Sequence, residues 1–185
     1  MQPALFLDRD GVININHGYV SDIDSFDFIP GIFNIVEQAI AQGFKVIVVT
    51  NQSGIGRGYY TEDQFLQVTH WMRGEFSKHG GRIDGVYFCP HHPSEAKGQY
   101  LQVCCCRKPK PGLFEDAIKT HQIAVDKSIM IGDKKSDLVA AASAGVKNRI
   151  LFSQDTQQSS EYQTLWLQQT DFNGVDLSML IEHIA

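Results

Sequence analysis

Two carboxylates two residues apart, in Asp8-Arg9-Asp10-Gly11, directly follow the apolar run Ala4-Leu5-Phe6-Leu7. A third acid, Asp133, follows Ser128-Ile129-Met130-Ile131 in Gly132-Asp133-Lys134-Lys135-Ser136-Asp137. The polar run Thr50-Asn51-Gln52-Ser53-Gly54 follows the apolar stretch Phe44 to Val49. On an extended segment Asp8 and Asp10 point to the same side, and with Asp133 alongside they repel one another unless a cation neutralises them. A hard divalent ion with oxygen ligands resolves that repulsion, and Mg²⁺ suits best because it keeps several waters and accepts substrate phosphate. With Lys108 and Thr50 the three acids make a phosphate pocket. The cation and the lysine offset charge on the phosphoryl oxygens, the hydroxyl and loop N–H groups donate to them, and one carboxylate remains to attack phosphorus. A second carboxylate two residues on can protonate the leaving oxygen and then activate water.

The cysteines form a second constellation. Cys89, Cys104, Cys105 and Cys106 all lie within 18 residues, whereas a disulfide framework would spread its cysteines to staple distant loops. Cys89-Pro90-His91, a gap of 12 residues, then Cys104-Cys105-Cys106 offers thiolates and an imidazole in two tight pairs, which suits a closed tetrahedral Zn²⁺ site. Alternation favours Cys104 and Cys106 as the facing pair with Cys105 spare, and His92 rivals His91. Such a site would be structural, and by pinning its loop it would hold Arg107-Lys108 over the phosphate pocket.

These residues need strands to deliver them. The apolar runs at Ala4 to Leu7, Phe44 to Val49, Gly85 to Phe88, Ser128 to Ile131 and Arg149 to Phe152 read as five buried strands. Between them, apolar residues recur at helical spacing from Gly31 to Gly43, from a Thr61 cap to His79, from Pro111-Gly112 onward, and from Ser136 to Ala144. Alternating strands and helices predict an α/β fold with a doubly wound, mostly parallel sheet of Rossmann-like type. In such a sheet ligands bind beyond the carboxyl ends of the strands, which is where the polar runs fall. The Gln- and Ser-rich stretch 153–164 reads as a loop before one or two terminal helices. The whole chain, 1–185, reads as a single domain with a zinc loop inserted at 89–108 and no large cap domain.

Composition narrows the functions. With 16 basic against 21 acidic side chains, a net charge of −5 and no block of Lys or Arg, neither nucleic acid nor an anionic membrane surface is an expected partner. The apolar runs fall far short of a membrane span, and Met1-Gln2-Pro3-Ala4 lacks the features of a secretory signal, so a cytoplasmic location is expected.

Taken together, the segments resemble the haloacid dehalogenase superfamily of phosphohydrolases over nearly the whole chain. Asp8-Arg9-Asp10-Gly11-Val12 looks like its first motif, Thr50 its second, Lys108 its third, and Gly132-Asp133 with Asp137 its fourth. The resemblance implies Asp8 as nucleophile and Asp10 as general acid/base. It implies Mg²⁺ on the Asp8 carboxylate, the Asp10 backbone carbonyl and Asp133, with Asp137 supporting from behind, and Thr50 and Lys108 gripping the phosphoryl group. It also implies the strand order 3-2-1-4-5. The cysteine loop narrows the resemblance to the histidinol-phosphatase-like branch, through His17-Gly18-Tyr19-Val20, Cys89-Pro90-His91-His92-Pro93 and Cys106-Arg107-Lys108-Pro109. A sugar bisphosphate needs a second anion site remote from the attacked phosphorus, and Arg107 with its bidentate fork is the candidate for it. Asn16, His17, Gly18 and Tyr19, with Asn51, Gln52 and Ser53, could contact the sugar, and Lys134 could add charge near the phosphate. A monomeric, Mg²⁺-dependent phosphatase of a small sugar bisphosphate is the expectation. Histidinol phosphate is the alternative substrate, and a non-enzymatic zinc module that binds a phosphorylated ligand is the alternative of another class.

Overall fold

The structure, a computed structural model, describes residues 1–152, the backbone of 165–167, and 171–178. Six parallel strands form one sheet in the order β3-β2-β1-β4-β5-β6. They are β1 (Ala4–Leu7), β2 (Lys45–Asn51), β3 (Gly85–Cys89), β4 (Ile129–Gly132), β5 (Asn148–Phe152) and β6 (Leu165–Leu167). The helices are α1 (Ile32–Ala41), α2 (Ser53–Arg57), α3 (Glu62–Lys78), α4 (Gly112–His121) and α5 (Lys135–Ser143). The five expected strands and four expected helices form, and α2 and β6 are additional. The Gln- and Ser-rich loop reading for 153–164 lies outside the described residues. Residues 165–167 extend the sheet beside β5; of the one or two terminal helices expected after the loop, Leu177 and Ser178 are helical, and the residues that follow lie outside the described ones. A three-residue Leu-Trp-Leu run is too short to carry a period of its own, and the free edge of β5 supplies the hydrogen-bond partners that decide it.

Strand alternation splits the core into two layers. Leu5, Leu7, Val46 and Val48 pack with Ile32, Ile35 and Val36 of α1 and Val68, Met72 and Phe76 of α3. Ala4, Phe6, Ile47 and Val49 pack on the opposite face with Leu113, Phe114 and Ala117 of α4 and Leu138, Ala140 and Ala141 of α5. Helix α3 is opened by a capping box in which Thr61 Oγ1 accepts from the Gln64 N–H and Gln64 Oε1 accepts from the Thr61 N–H. Because the helices before β3 cover one face and those after it the other, the winding reverses at β1, between β2 and β4. That switch point opens a crevice at the carboxyl ends of these strands.

Candidate active site

Asp8 is the first residue beyond β1, and its N–H bonds to Ile131 O of the neighbouring β4 at 3.1 Å. The chain then turns sharply. Arg9 O accepts the N–H groups of Val12, Ile13 and Asn14. Gly11 sits at φ +93°, where an added Cβ would lie 2.4 Å from Asp133 Oδ2. The glycine thus lets the strand-1 turn press against the acid delivered by β4.

Lys108 organises the acids. Its Nζ, almost fully buried, lies 3.0 Å from Asp8 Oδ1 and 2.7 Å from Asp137 Oδ1, and it donates to Val49 O at 2.8 Å. Its backbone is clasped by one side chain: Asn51 Oδ1 accepts from the Lys108 N–H at 3.1 Å, and Asn51 Nδ2 donates to Lys108 O at 3.1 Å. Asp137, in the first turn of α5, also accepts the Lys134 N–H at 3.0 Å. Oxygens of Asp8, Asp133 and Asp137 lie within 4.8 Å of one another.

One lysine does not neutralise this group. Burial first, then Asp137, Asp133 and Asp10, push the Asp8 carboxyl up to about 7 in spite of Lys108. Burial likewise raises Asp133, and Lys134, 3.3 Å from its Oδ2, offsets this only in part. Asp133 Oδ1 is buried without a hydrogen-bond partner among the described residues. A crowded acid set with an orphaned oxygen fits a hard dication such as Mg²⁺. Asp8 and Asp133 have oxygens to offer it, whereas both oxygens of Asp137 are already engaged by Lys108 and Lys134.

The Asp10 carboxylate lines the same cleft as Asp8 but stands outside the close group of Asp8, Asp133 and Asp137; it accepts from Arg9 Nη2 at 2.8 Å, Asn14 Nδ2 at 3.1 Å and Gln52 Nε2 at 3.0 Å. Arg9 is buried, its guanidinium beside the Phe26 and Phe65 rings and donating to Val20 O at 2.7 Å. Gln52 also donates to Thr50 Oγ1 at 2.9 Å, while Tyr60 Oη donates to Gln52 Oε1 at 2.5 Å and so fixes which end of the amide faces the acid. Burial pushes the Tyr60 hydroxyl up to about 12, keeping it a donor.

A cleft of about 280 Å³ opens over this set, lined by Asp8, Asp10, Thr50, Gln52, Ser53 and Lys108 on its floor and by Asn16, Gly18, Tyr19, Asn51 and Lys134 around them. Two expected lining residues stay outside it. His17 is turned to Asp27, with Nε2 2.8 Å from the carboxylate, and Arg107 donates from Nη1 to His91 O at 3.2 Å. Residue spacing placed both on the right loops but does not set side-chain direction. Tyr60 and Ser136 line the cleft without a sequence signal of their own. Gly54 was the available hint for Tyr60, since a Cβ there would lie 2.2 Å from the Tyr60 ring.

Beyond β3 the cysteine loop closes on itself. Cys89, His91, Cys104 and Cys106 bring four ligand atoms within 4.8 Å, with Sγ separations of 3.2, 3.3 and 3.6 Å. These separations are far beyond a disulfide bond and close to the edge of a tetrahedron built on Zn–S bonds of about 2.3 Å. Burial, followed by Cys106, pushes the Cys89 thiol well above the ordinary range, and burial raises Cys106 to about 11. Three crowded thiols and an imidazole fit Zn²⁺, which would displace those protons. His92 is not among the four: its Nδ1 accepts from the Glu95 N–H at 3.0 Å, and Cys105 is exposed.

A family model described as HAD-hydrolase-like matches residues 105–172. Over 151 residues the chain is 52% identical to D-glycero-beta-D-manno-heptose-1,7-bisphosphate 7-phosphatase of Pasteurella multocida, covering 82% of each. Over 170 residues it is 46% identical to the enzyme of the same name from Helicobacter pylori, covering 91% of this chain and 92% of the relative. Among solved structures it is similar to D,D-heptose 1,7-bisphosphate phosphatase from B. bronchiseptica, complexed with magnesium and phosphate. That match has a TM-score of 0.79 at 26% identity and covers 98% of this chain and 97% of that one.

Proposed function

The chain belongs to the haloacid dehalogenase-like phosphatases, among the heptose-1,7-bisphosphate 7-phosphatases, and from that premise we propose that it hydrolyses the 7-phosphate of D-glycero-β-D-manno-heptose 1,7-bisphosphate. The observation that carries this reading is the convergence of Asp8, Asp133 and Asp137 around the buried Lys108 at the floor of the cleft. The product, a sugar 1-phosphate, is the form a nucleotidyl transfer requires, which suits a step toward nucleotide-activated heptose for the lipopolysaccharide core.

Asp8 is the nucleophile. Lys108 Nζ and the Arg9 N–H both bond to its Oδ1 and so hold the carboxylate in place for attack on phosphorus. As the Asp8 O–P bond forms, the P–O7 bond breaks, and Asp10 gives its proton to the departing sugar oxygen. Asp10 then takes a proton from water, the hydroxide oxygen attacks phosphorus, and the Asp8 carboxylate leaves with inorganic phosphate released. Arg9, Asn14 and Gln52 hold Asp10 at its post through both half-reactions. Thr50 and Lys108 grip the phosphoryl oxygens. Asp8, the Asp10 carbonyl and Asp133 would hold Mg²⁺, with Asp137 behind them, and when bound the ion supplies charge neutralisation of the phosphoryl oxygens.

Arg107 spends one of its five N–H donors on His91 O, and the remaining four suit the distal 1-phosphate, with Lys134 adding charge. Asn16, Gly18 and Tyr19 would meet the sugar, and His17 acts by fixing that turn to Asp27. Zn²⁺ on Cys89, His91, Cys104 and Cys106 would be structural. The chain would work as a single-domain monomer in the cytoplasm, where its unpaired cysteines stay reduced.

The deciding experiment is phosphate release from the heptose bisphosphate, heptose 1-phosphate and histidinol phosphate with Mg²⁺ present. Rapid release from the first alone, leaving the 1-phosphate intact, is expected. Preference for histidinol phosphate would move the reading to the alternative substrate, and no release from any ester, together with unchanged ligand binding by Asp8→Asn, would make the chain a binding module.

A further inference from the structure

Tyr19 is poorly provided for by its own segment. It is a non-glycine residue at φ +53°, it follows a glycine at φ +83°, and it stands 45% exposed at the cleft margin. What holds its ring comes from elsewhere. Tyr59 meets it edge-on with centroids 4.7 Å apart, and the Arg57 guanidinium lies 5.7 Å over its face. Gly54, one turn back on α2, comes so close that a Cβ would be 3.0 Å from the Tyr19 ring.

Arg57 is itself held from the cysteine loop. Its Nη2 is ion-paired with Glu95 Oε2, its side chain is only 20% exposed, and its Nε is buried without a partner among the described residues. The end of α2 is pressed against the same loop. Gly56 O accepts the Lys97 N–H at 2.8 Å, and a Cβ on Gly56 would lie 2.4 Å from Pro90 O. A continuous line of contacts therefore runs from the cysteine loop through Glu95 and Arg57 to the ring of Tyr19.

We propose that Arg57 is a positioning residue for the sugar portion of the substrate: clasped by Glu95, it holds Tyr19 in the cleft wall, so that the Glu95–Arg57 pair governs affinity for a sugar-bearing ester and leaves phosphoryl transfer alone. The inference rests on the proposed phosphatase function for its kinetic consequence but not for its structural one. Neither Arg57 nor Glu95 lines the floor where the acids and Lys108 meet. Loss of the cation over the ring therefore frees Tyr19 from its strained turn without disturbing that floor.

The test pairs kinetics with hydrogen exchange on the intact, metal-loaded protein. For the heptose bisphosphate, Arg57→Met is expected to raise KM by about 5- to 30-fold, in line with a partly desolvated cation–aromatic contact, with kcat within about twofold. Glu95→Gln moves KM the same way by less. Arg57→Lys, which keeps the charge but loses the planar guanidinium, falls between. Turnover of para-nitrophenyl phosphate, which has no sugar, is unchanged by Arg57→Met. In a Tyr19→Ala background, Arg57→Met adds little further to KM, because the two act as one unit. Independently of any substrate, amide exchange across residues 16–20 accelerates in Arg57→Met and Glu95→Gln. Unchanged exchange overturns the proposal. So does an Arg57→Met effect that persists in full without Tyr19, or equal losses on both esters. If the parent protein fails to hydrolyse the heptose bisphosphate, the functional reading falls, and the exchange result still decides whether the clasp exists.

Discussion

Asp8 illustrates how reactivity and stability oppose each other at a single side chain. Its carboxyl is pushed from 3.8 up to about 7, first by burial and then by Asp137, Asp133 and Asp10, against the pull of Lys108. Without a metal the folded chain therefore keeps a proton between about pH 4 and 7 that the unfolded chain has released. Stability falls as pH rises through that window and stays low above it. With a chelator present, Asp8→Asn should melt above the parent at pH 8, and the gap should close as pH falls toward 4, read by calorimetry. The same substitution should lower phosphate release by at least about 10³-fold, since it removes the proposed nucleophile. Gly11→Ala tests the neighbouring turn. At φ +93° and with a Cβ 2.4 Å from Asp133 Oδ2, it should cost about 1–3 kcal/mol in denaturant unfolding and weaken Mg²⁺ binding in titration calorimetry. At this scale the sequence was informative where a residue directly follows an apolar run: the positions of Asp8, Thr50 and Asp133 were legible because a strand end fixes them. The directions of His17 and Arg107 were not. A hydrogen bond with Asp27 decides the first and a carbonyl of the cysteine loop the second.

Among the elements, the cysteine loop carries the clearest dependence. Arg107 and Lys108 directly follow Cys106, and the first amide of α4, that of Gly112, bonds to Cys105 O at 3.1 Å, so the loop sets both a functional pair and a helix start. Cys106→Ser should bring the zinc-to-protein ratio from near one to near zero by elemental analysis, lower the melting point, and reduce kcat/KM because Lys108 loses its fixed approach. The strands and longer helices were readable from periodicity, and the capping box at Thr61 from its spacing. The five-residue α2 was not, because its apolar content, mainly Ile55, is too small to show a helical period and its formation depends on Gly54 and Gly56 fitting against Tyr60 and Pro90. The edge strand β6 was missed for the same reason of length.

For the molecule as a whole, no helix among the described residues is long and apolar enough to cross a membrane, and the acids sit where two halves of a doubly wound sheet meet. A ligand that neutralises them should tie the halves together. Saturating Mg²⁺, at about 100 times its dissociation constant, should stabilise the fold by about 2.7 kcal/mol in chemical unfolding, and chelation should reverse it. Asp8→Asn should blunt that response. The switch-point placement has a further consequence during biosynthesis. Lys108, Asp133 and Asp137 are supplied by segments translated 100 or more residues after Asp8. A nascent chain that ends before those segments thus carries Asp8 with neither its lysine nor its fellow acids. The acid cluster is whole only when the fourth strand and the first turn of α5 have emerged and docked.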